Sequence, residues 1–245
     1  KKDSKFLKLK RGFILSIIGP DNSGKSTLIK KITNFYSKFY STENFHMGSP
    51  KINFLQKVIN FLSNLFHKNS KLRNSSLAVH SNTKLSFINF LLISIKSILT
   101  AYSRYLENRH ISKHLIDNKF IITDRYVKET PSYFDGPKIP LLNSKNKLIL
   151  FLSSIESYFY KKIQPCDLAV YIHVPNTILH KRNKLRKKNM RESTDYLTKS
   201  IHETMHYRSY KSKTFLKIHQ KENDIHDTVL KIHSFLLMNN YISHS

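Results

Sequence analysis

The amino-acid sequence predicts an α/β fold in which helices cover both faces of a parallel sheet, and three observations support this prediction. Short apolar runs of strand length recur along the chain, with longer periodic segments between them. A glycine-rich motif directly follows the first run, and a short polar motif directly follows the third. The runs cover residues 13–18, 43–47, 120–123, 168–174 and 214–218. Ligands of such sheets bind beyond the carboxyl ends of the strands, so both motifs should open onto one crevice.

The first run leads into GPDNSGKST, residues 19–27, which has the G-x-x-x-x-G-K-[ST] spacing of a phosphate-binding loop. Gly19 and Gly24 permit the backbone angles that turn successive N–H groups toward phosphate oxygens. Lys25 would reach the β- and γ-phosphates, and the Ser26 hydroxyl would ligate Mg²⁺. A helical pattern follows, so the context favours a phosphate loop over a simple turn before a helix. The residues predicted to bind ATP are Gly19, Asn22, Ser23, Gly24, Lys25, Ser26 and Thr27.

Two apolar helical segments follow the second run. Residues 51–66, KINFLQKVINFLSNLF, are basic and amphipathic, which suits an anionic membrane surface, although packing on the same domain or on a second subunit is commoner. Residues 85–102 are nearly long enough to span a bilayer, but Asn89 and Lys96 interrupt them, which favours a core helix. The stretch at about residues 67–84, between the two segments, is polar and aperiodic, and we expect a mobile basic surface loop there.

The third run ends in IITDRY, residues 121–126. An acid at the end of a buried strand beside a phosphate loop can hold Mg²⁺ through water or orient the acceptor, and the next arginine can clamp phosphate. We therefore interpret Asp124 as a catalytic and metal-binding residue and Arg125 as a catalytic and substrate-binding residue. A helix cap and a surface ion pair are the alternatives.

The segment after the fourth run is strongly basic, with seven of the eleven residues 181–191 being lysine or arginine. Phosphoryl transfer concentrates negative charge on the equatorial oxygens, and a mobile arginine-bearing lid neutralises that charge and excludes water. We expect such a lid at about residues 181–194, with a solvated helix face as the alternative.

Asp21 lies inside the phosphate loop, where ATP would repel a carboxylate that faced the phosphates. One interpretation is that it points toward a hydroxyl group of the acceptor. The other is a turn residue that hydrogen-bonds its own backbone.

Length and composition indicate the number of domains and the cellular compartment to expect. With 245 residues and 40% hydrophobic content, the chain can bury one sizeable core, which predicts a single domain over residues 1–245. The one cysteine, Cys166, excludes an intrachain disulfide and indicates a reducing compartment. The start of the sequence, KKDSKFLKLKR, lacks the long apolar segment of a secretion signal. We expect a cytoplasmic protein, with a peripheral position on the inner face of the membrane left open.

The formal net charge of +26 is unevenly distributed, since no acidic residue occurs between Glu43 and Glu107. Such an excess favours polyanions, including nucleic acid, anionic lipid and phosphorylated glycan. A lysine-, asparagine- and isoleucine-rich composition on a solvated surface explains it equally well. The chain lacks the aromatic and glycine signatures of an RNA-binding sheet and the spacing of a zinc finger, so we expect no specific nucleic-acid binding.

These motifs, taken in order, resemble the thymidylate kinase family of nucleoside monophosphate kinases over most of the chain. The resemblance implies a P-loop NTPase three-layer sandwich with a five-stranded parallel sheet and a basic lid. It also implies ATP and Mg²⁺ as cofactors, transfer of the γ-phosphoryl group to a nucleoside monophosphate, and a homodimer formed through helices. The segments that carry it are GPDNSGKSTL, LIDNKFIITDRY, QPCDLAVYIHVPNTILHKRNKLRKK and TFLKIHQKENDIHDTVLKIHSFL.

The resemblance also assigns roles to particular residues. Lys25 and Ser26 become the ATP and Mg²⁺ groups, with Thr27 supporting them. Asp124 and Arg125 stand on the acceptor side, and Asp21 lies near a sugar hydroxyl. The phosphate loop lacks an arginine, so the lid would supply the cation of the transition state; the candidates, which the sequence does not rank, are Arg182, Arg186 and Arg191.

The sequence departs from the family pattern at the acceptor side. Thymidylate kinases usually have an Arg-Glu-Pro motif after the second strand, where this chain has FHMGSP without an arginine. In the SYFDG segment, Tyr133 matches the family, but Phe134 stands where a glutamine would read thymine. A site without that hydrogen-bonding group loses its discrimination, so thymine specificity does not follow. His46 is a further candidate for contacting the acceptor.

Two other functions remain open from the sequence. The departures resemble those of thymidylate-kinase-like proteins linked with surface polysaccharide synthesis, which suggests a kinase of a sugar or glycan precursor at a membrane surface. The third hypothesis is a non-catalytic nucleotide-binding module that docks on a polyanion. The intact set of Lys25, Ser26, Asp124 and Arg125 argues against that third hypothesis.

Overall fold

The computed structural model describes residues 8–9, 11–48, 57, 61, 87–143, 145–187, 191–220 and 225–243. Two compact units are present. Unit 1 comprises Lys1–His46, His110–Tyr126 and Pro165–Ser245, and unit 2 comprises Met47–Arg109 and Val127–Gln164. A single domain over residues 1–245 stays a prediction. The predicted mobile loop at about residues 67–84 lies outside the described residues.

Unit 1 is built on a five-stranded parallel sheet. The strands in chain order are β1 (Lys8–Leu9), β2 (Phe13–Ile18), β3 (Thr42–His46), β4 (Phe120–Asp124), β5 (Cys166–His173), β6 (Ser212–His219) and β7 (Ile242–Ser243). Strands β2 to β6 form the parallel sheet in the spatial order β3-β4-β2-β5-β6, and β1 pairs with β7 in an antiparallel ribbon. All five strands predicted from the apolar runs are confirmed, with ends that differ by at most two residues.

The burial of each strand follows from its place in the sheet. The three central strands, β4, β2 and β5, are buried along almost their whole length, which is why their sequences read as continuous apolar runs. The edge strands β3 and β6 are largely half-buried or exposed and are more polar. From the central strand β2 the chain continues to β3 and β4 on one side of the sheet, and it then reverses direction to add β5 and β6 on the other side. Ligands of α/β sheets bind at the carboxyl ends of strands at such a reversal.

The described residues form helices α1 (Lys25–Tyr36), α2 (Phe87–Ile116), α3 (Lys147–Lys162), α4 (Asn176–Leu185), α5 (Thr194–Met205) and α6 (Ile225–Met238), with 3₁₀ turns at Ile139–Leu142 and Tyr207–Ser209. Helix α1 buries Leu28, Ile32 and Tyr36, which are spaced four apart and so share one face. The Tyr36 ring stacks on Phe120 of β4 with 4.5 Å between centroids. Burying a side chain such as Leu28 contributes about 1.5–3 kcal/mol, so this face fixes α1 on the sheet.

Unit 2 contains a buried arginine on α2, Arg104, which is 1% exposed. Its Nη1 donates to the Tyr160 hydroxyl at 2.6 Å. Its Nη2 donates to the carbonyl oxygens of Gly48 at 2.9 Å and Phe134 at 3.0 Å. The same nitrogen lies 3.6 Å from Asp135 Oδ1. Arg104 therefore ties α2 to α3 and to two loop segments of its unit.

A second buried charge in unit 2 is the carboxylate of Glu156 on α3. It accepts hydrogen bonds from the backbone N–H groups of Lys138, at 3.0 Å, and Ile139, at 2.9 Å. Burial, together with the charges of Arg104 and Lys96, lowers the pKa of Lys138 to about 8. Opposite charges are thus packed together in the interior of this unit.

The predicted core helix at residues 85–102 is part of α2, which is longer than its apolar pattern and continues to Ile116. Ser94, Ser97 and Ala101 of this helix are buried, whereas Phe87 at its start is half exposed. None of the helices in the described part of the chain has the length and apolarity needed to cross a membrane. Of the amphipathic segment 51–66, the structure describes only Lys57 and Phe61, which are helical and exposed.

Candidate active site

The predicted phosphate loop connects β2 to α1, as the sequence indicates. Gly24, which precedes the helix, has φ 89°, and Asn22 has φ 69°. Both values lie in the left-handed region, where glycine is unstrained and asparagine is tolerated. A Cβ on Gly19 would lie 2.9 Å from Ser23 Oγ and 3.1 Å from the Ile172 carbonyl oxygen, so a side chain would not fit there without a shift. The loop thus combines left-handed backbone positions with the N-terminus of α1, features that phosphate-binding loops use.

Lys25 is buried at the loop although it is a lysine, with 7% of the residue exposed. Its Nζ donates to the carbonyl oxygens of Gly19 at 2.9 Å and Pro20 at 2.7 Å. It also lies 3.8 Å from Asp21 Oδ1. The loop itself therefore holds the ammonium group beside its own backbone, where a phosphate oxygen could replace the carbonyl partners.

Asp21 and Arg125 form a close ion pair. Arg125 directly follows β4, has φ 62° and donates its backbone N–H to the Ile17 carbonyl oxygen of β2 at 3.0 Å. Its Nη2 donates to Asp21 Oδ1 at 2.6 Å. Arg125 is 9% exposed. Arg125 therefore forms a largely buried ion pair with Asp21, and its catalytic role stays a prediction.

The surroundings of Asp21 keep its carboxylate ionised. Burial by itself would raise its pKa, but the charges of Arg125 and Lys25 and hydrogen bonds from Arg125 and Tyr196 outweigh that effect, so the pKa is lowered. The backbone N–H of Asp21 donates to Ser200 Oγ at 3.3 Å. Two residues of α5, Tyr196 and Ser200, thus contact Asp21.

Asp124 is the last residue of β4 and pairs in register with Ile17 of β2 and His46 of β3. Its Oδ1 is buried and has no hydrogen-bond partner within the described part of the chain. Ser26 is exposed in the first turn of α1. Carboxylate and hydroxyl oxygens are ligands that Mg²⁺ accepts, so each of these side chains has the chemistry that the predicted metal site requires.

The predicted lid lies on α4 and the segment after it, with residues 188–190 outside the described residues. Arg182 Nη1 donates to the Asn22 carbonyl oxygen at 3.4 Å and lies 3.6 Å from the position of a Cβ on Gly24. Arg186 and Arg191 are exposed, and Arg191 Nε donates to the Arg186 carbonyl oxygen at 2.9 Å. Of the three candidate arginines, Arg182 is the one that the structure places beside the phosphate loop.

Asn183, which the sequence analysis did not select, connects the loop to the lid. Its Oδ1 accepts from Asn22 Nδ2 at 3.3 Å and from the Glu192 backbone N–H at 3.0 Å, and its Nδ2 donates to the Glu192 carbonyl oxygen at 2.8 Å. No local sequence pattern predicts the contact of Asn183 with the loop, because it joins residues 161 positions apart. The contact from Ser200 to Asp21 spans 179 positions and was missed for the same reason.

The remaining predicted residues are spread over both units. Thr27 is exposed in the first turn of α1, and Ser23 is buried in the loop. His46 is exposed at the end of β3, next to Asp124 in the strand register. Tyr133 belongs to unit 2, where it is half-buried. The structure brings Asp21, Lys25 and Arg125 into contact, while the acceptor roles of His46 and Tyr133 stay predictions.

The chain is similar in structure, though not detectably in sequence, to known proteins. No protein-family model matches the chain, and no curated protein matches it by sequence. Among solved structures, the chain is similar to the thymidylate kinase of Candida albicans, a structure described as revealing the origin of broad substrate specificity and a novel structural element. The two are 17% identical, the match covers 96% of this chain and 97% of that chain, and the TM-score is 0.52. The predicted fold class is thereby confirmed: the chain has the three-layer α/β fold of a P-loop thymidylate kinase, with a five-stranded parallel sheet.

Proposed function

We propose that this protein is an ATP-dependent phosphotransferase that moves the γ-phosphoryl group of ATP to a nucleoside monophosphate. The observation that carries the proposal is the contact of Lys25 and Arg125 with Asp21, which joins the ends of the adjacent strands β2 and β4. Two cations and one anion are thus gathered at the carboxyl ends of adjacent parallel strands, the place where ligands of such sheets bind. The thymidylate kinase fold supports the same reaction class.

The donor side would be formed by the loop and α1. The loop amides and the N-terminus of α1 would bind the phosphates of ATP, and Lys25 would exchange its bonds to the Gly19 and Pro20 carbonyl oxygens for phosphate oxygens. Magnesium would neutralise phosphate charge, and Ser26 and Asp124 are the residues that would hold it. The buried Asp124 Oδ1, without a partner in the described residues, fits that use.

The acceptor side would depend on Arg125. Its guanidinium, already aligned by Asp21, would bind the phosphate of the acceptor. Asp21 would face a sugar hydroxyl of the acceptor, with His46, the last residue of β3, as a further contact. Holding both reactants in a fixed orientation is the main contribution that a protein makes to phosphoryl transfer.

Arg182 is our candidate for the transition-state cation. It stands beside the loop at Asn22 and Gly24, so a small movement of α4 would bring its guanidinium to a transferring phosphoryl group. Preorganised donors of this kind stabilise charge that develops only in the transition state.

The test is ADP formation from ATP and Mg²⁺ with a panel of ribo- and deoxyribonucleoside monophosphates. We expect at least one of them to raise the rate clearly above hydrolysis by water, and Lys25→Ala and Asp124→Asn to remove the stimulation. Lys30→Ala, an exposed lysine on the same helix, serves as the matched control and should leave it unchanged. If no nucleoside monophosphate raises the rate, the proposed acceptor is wrong.

A kinase of a sugar or glycan precursor is the second candidate, and the acceptor side of the sequence favours it. The segment after β3 reads Met47-Gly48 without an arginine, and the Gly48 carbonyl oxygen is bound by Arg104 within unit 2. Sugars and lipid-linked glycans therefore belong in the same panel. Stimulation by them and not by nucleotides would establish this candidate, whereas ATP binding with no active acceptor would indicate a non-catalytic module.

A further inference from the structure

We propose that one exposed face of α3 docks on the surface of an anionic lipid bilayer. This α3 face consists of Lys147, Leu148, Leu150, Phe151, Ser154, Tyr158, Lys161 and Lys162, all of them exposed. The proposal goes beyond phosphoryl transfer and does not depend on it. It gives the protein a peripheral membrane position through a surface that the proposed reaction does not use.

The position of the face follows from the helical period. Ile149, Glu156 and Tyr160 are buried, and their spacing of seven and four residues places them on one side of α3. Phe151 and Tyr158, which are also seven residues apart, lie on the opposite side and are 62% and 55% exposed. The helix thus has an inner side that packs in unit 2 and an outer side that carries aromatic rings to the solvent.

The amount of exposed apolar surface is high for one short helix. Leu148 is 45% exposed and Leu150 54%, in addition to the two aromatic residues. Single exposed apolar residues are common, but four large ones on the outer side of one helix are typical of an interaction surface. In the same unit, Phe61 is 62% exposed on another helical segment, beside the exposed Lys57 one turn earlier.

The charges on the face select an anionic partner. Lys147 is at its beginning and Lys161 and Lys162 are at its end, and Lys162 Nζ lies 5.5 Å from the centroid of the Tyr158 ring. The sole acidic residue of α3, Glu156, is buried and bound to backbone N–H groups, so α3 itself presents no carboxylate at its surface. Lysines that flank apolar residues are the pattern of helices that lie in the headgroup region of anionic membranes.

A groove along the edge of the face, which includes Ser154, Tyr158 and Lys161 of the face, has the chemistry of a lipid headgroup site. It has a volume of about 440 Å³ and is lined by Ser153, Ser154, Ser157, Tyr158 and Lys161. Hydroxyl groups and an ammonium group are donors that bind phosphate oxygens. The neighbouring apolar side chains would enter the boundary between headgroups and acyl chains while phosphates occupy the groove.

A second copy of the chain fits the face less well. A two-fold axis that pairs α3 with itself antiparallel brings Lys147 of one copy toward Lys161 and Lys162 of the other, with no exposed carboxylate of α3 between them. Like charges at the rim of an interface oppose association. A nucleic acid would satisfy the lysines but would leave Leu148 and Leu150 without a partner, since bases stack on aromatic rings.

The test is co-sedimentation of the full chain with phosphatidylcholine vesicles that contain phosphatidylserine, compared with phosphatidylcholine alone. We expect binding to the first and little to the second. Replacing Lys147, Lys161 and Lys162 with Gln should weaken binding by about 100-fold, at roughly fivefold for each lysine near the surface. Lys30, Lys31 and Lys38, which are exposed in or just after α1, provide the matched control with the same change in net charge, and their replacement should have a much smaller effect.

A second variant tests the apolar part of the face. Phe151→Ser with Tyr158→Ser should weaken binding by about tenfold or more, because the burial of two rings is lost. Ile116→Ser with Met238→Ser removes two residues that are each 82% exposed elsewhere and should leave binding unchanged. Thermal unfolding of each variant checks that the fold is intact.

Three outcomes would overturn the proposal. One is equal loss of vesicle binding in the α3 and α1 lysine variants, which would mean that net charge alone attracts the protein. Another is conversion of a dimer to a monomer by the Phe151 and Tyr158 replacements without loss of vesicle binding. The third is RNA binding that is sensitive to the same α3 variants in the absence of vesicle binding.

Discussion

Asp21 is the side chain on which the candidate site depends most. It is an acid inside the predicted phosphate loop, and its carboxylate is held by Arg125, Lys25 and Tyr196. Without Arg125 and Lys25, a carboxylate at this position would repel a triphosphate. In the structure its carboxylate contacts both cations.

The lowered pKa of Asp21 predicts a dependence of stability on pH. A group whose folded-state pKa is depressed stabilises the fold above its unfolded pKa, and that contribution disappears as the pH falls through the folded value. Above the ordinary value of 3.8, Asp21 should therefore stabilise unit 1, and the contribution should be lost in acid below that value. We expect the free energy of unfolding to fall more steeply on acidification in the wild type than in Asp21→Asn. Parallel curves in urea denaturation from pH 6 to 2 would contradict this account.

The lid arginines can now be ranked by where their side chains lie. Arg182 is beside the phosphate loop, while Arg186 and Arg191 are exposed. Replacing Arg182 with Ala should lower kcat by about 100-fold or more, in the range observed when one preorganised donor is removed. Arg186→Ala and Arg191→Ala are the matched controls, for which we expect much smaller losses of kcat. A large loss of kcat in Arg186→Ala, together with unchanged kcat in Arg182→Ala, would contradict the ranking.

Individual side chains of the site were predictable where a local motif fixes their chemistry, and only there. The spacing of the phosphate loop predicts roles for Lys25 and Ser26, and the position of the acid after a buried run predicts one for Asp124; these roles stay predictions. Tyr196 and Asn183 were not predictable, because they reach the loop from residues far along the chain and no local pattern encodes such a contact.

At the level of helices and strands, the apolar patterns located the elements but not their full lengths. Strand β5 begins at Cys166 and β6 at Ser212, before the predicted starts, because backbone pairing between the two strands extends past the apolar residues. Helix α2 continues beyond residue 102 because its later polar residues are buried with partners, as with Arg104 and Asn108. A hydrophobicity pattern does not reveal polar residues that are buried with hydrogen-bond partners.

The Arg104 contacts predict a stability effect in unit 2. Arg104→Ala would leave the Asp135 carboxylate and the Tyr160 hydroxyl without their shared partner in a buried site. Breaking a buried charge pair in this way should lower the free energy of unfolding by about 3–5 kcal/mol. Arg109→Ala, an exposed arginine on the same helix, is the matched control and should cost less than about 0.5 kcal/mol. Equal effects in urea denaturation would show that the Arg104 contacts do not stabilise the fold.

For the whole molecule, the order of motifs was a better guide than composition. The alternation of strands and helices predicted the sheet that the structure contains, and the chain shares its fold with a thymidylate kinase at 17% identity. The two units were not predictable, because the chain passes between them at residues 46–47, 109–110, 126–127 and 164–165 and no linker marks these places. The net charge of +26 describes the surface and does not distinguish among folds.

The central claim is that the loop of residues 19–27 binds the triphosphate of ATP through its backbone amides and Lys25. Calorimetric titration of the full chain with ATP and Mg²⁺, carried out in parallel on Lys25→Ala and Lys30→Ala, tests this claim most directly. We expect the wild type and Lys30→Ala to bind ATP equally and Lys25→Ala to bind about tenfold more weakly or worse, since a charge-assisted bond contributes roughly 1.5–3 kcal/mol. Undiminished ATP affinity in Lys25→Ala, or no binding by the wild type, would contradict it.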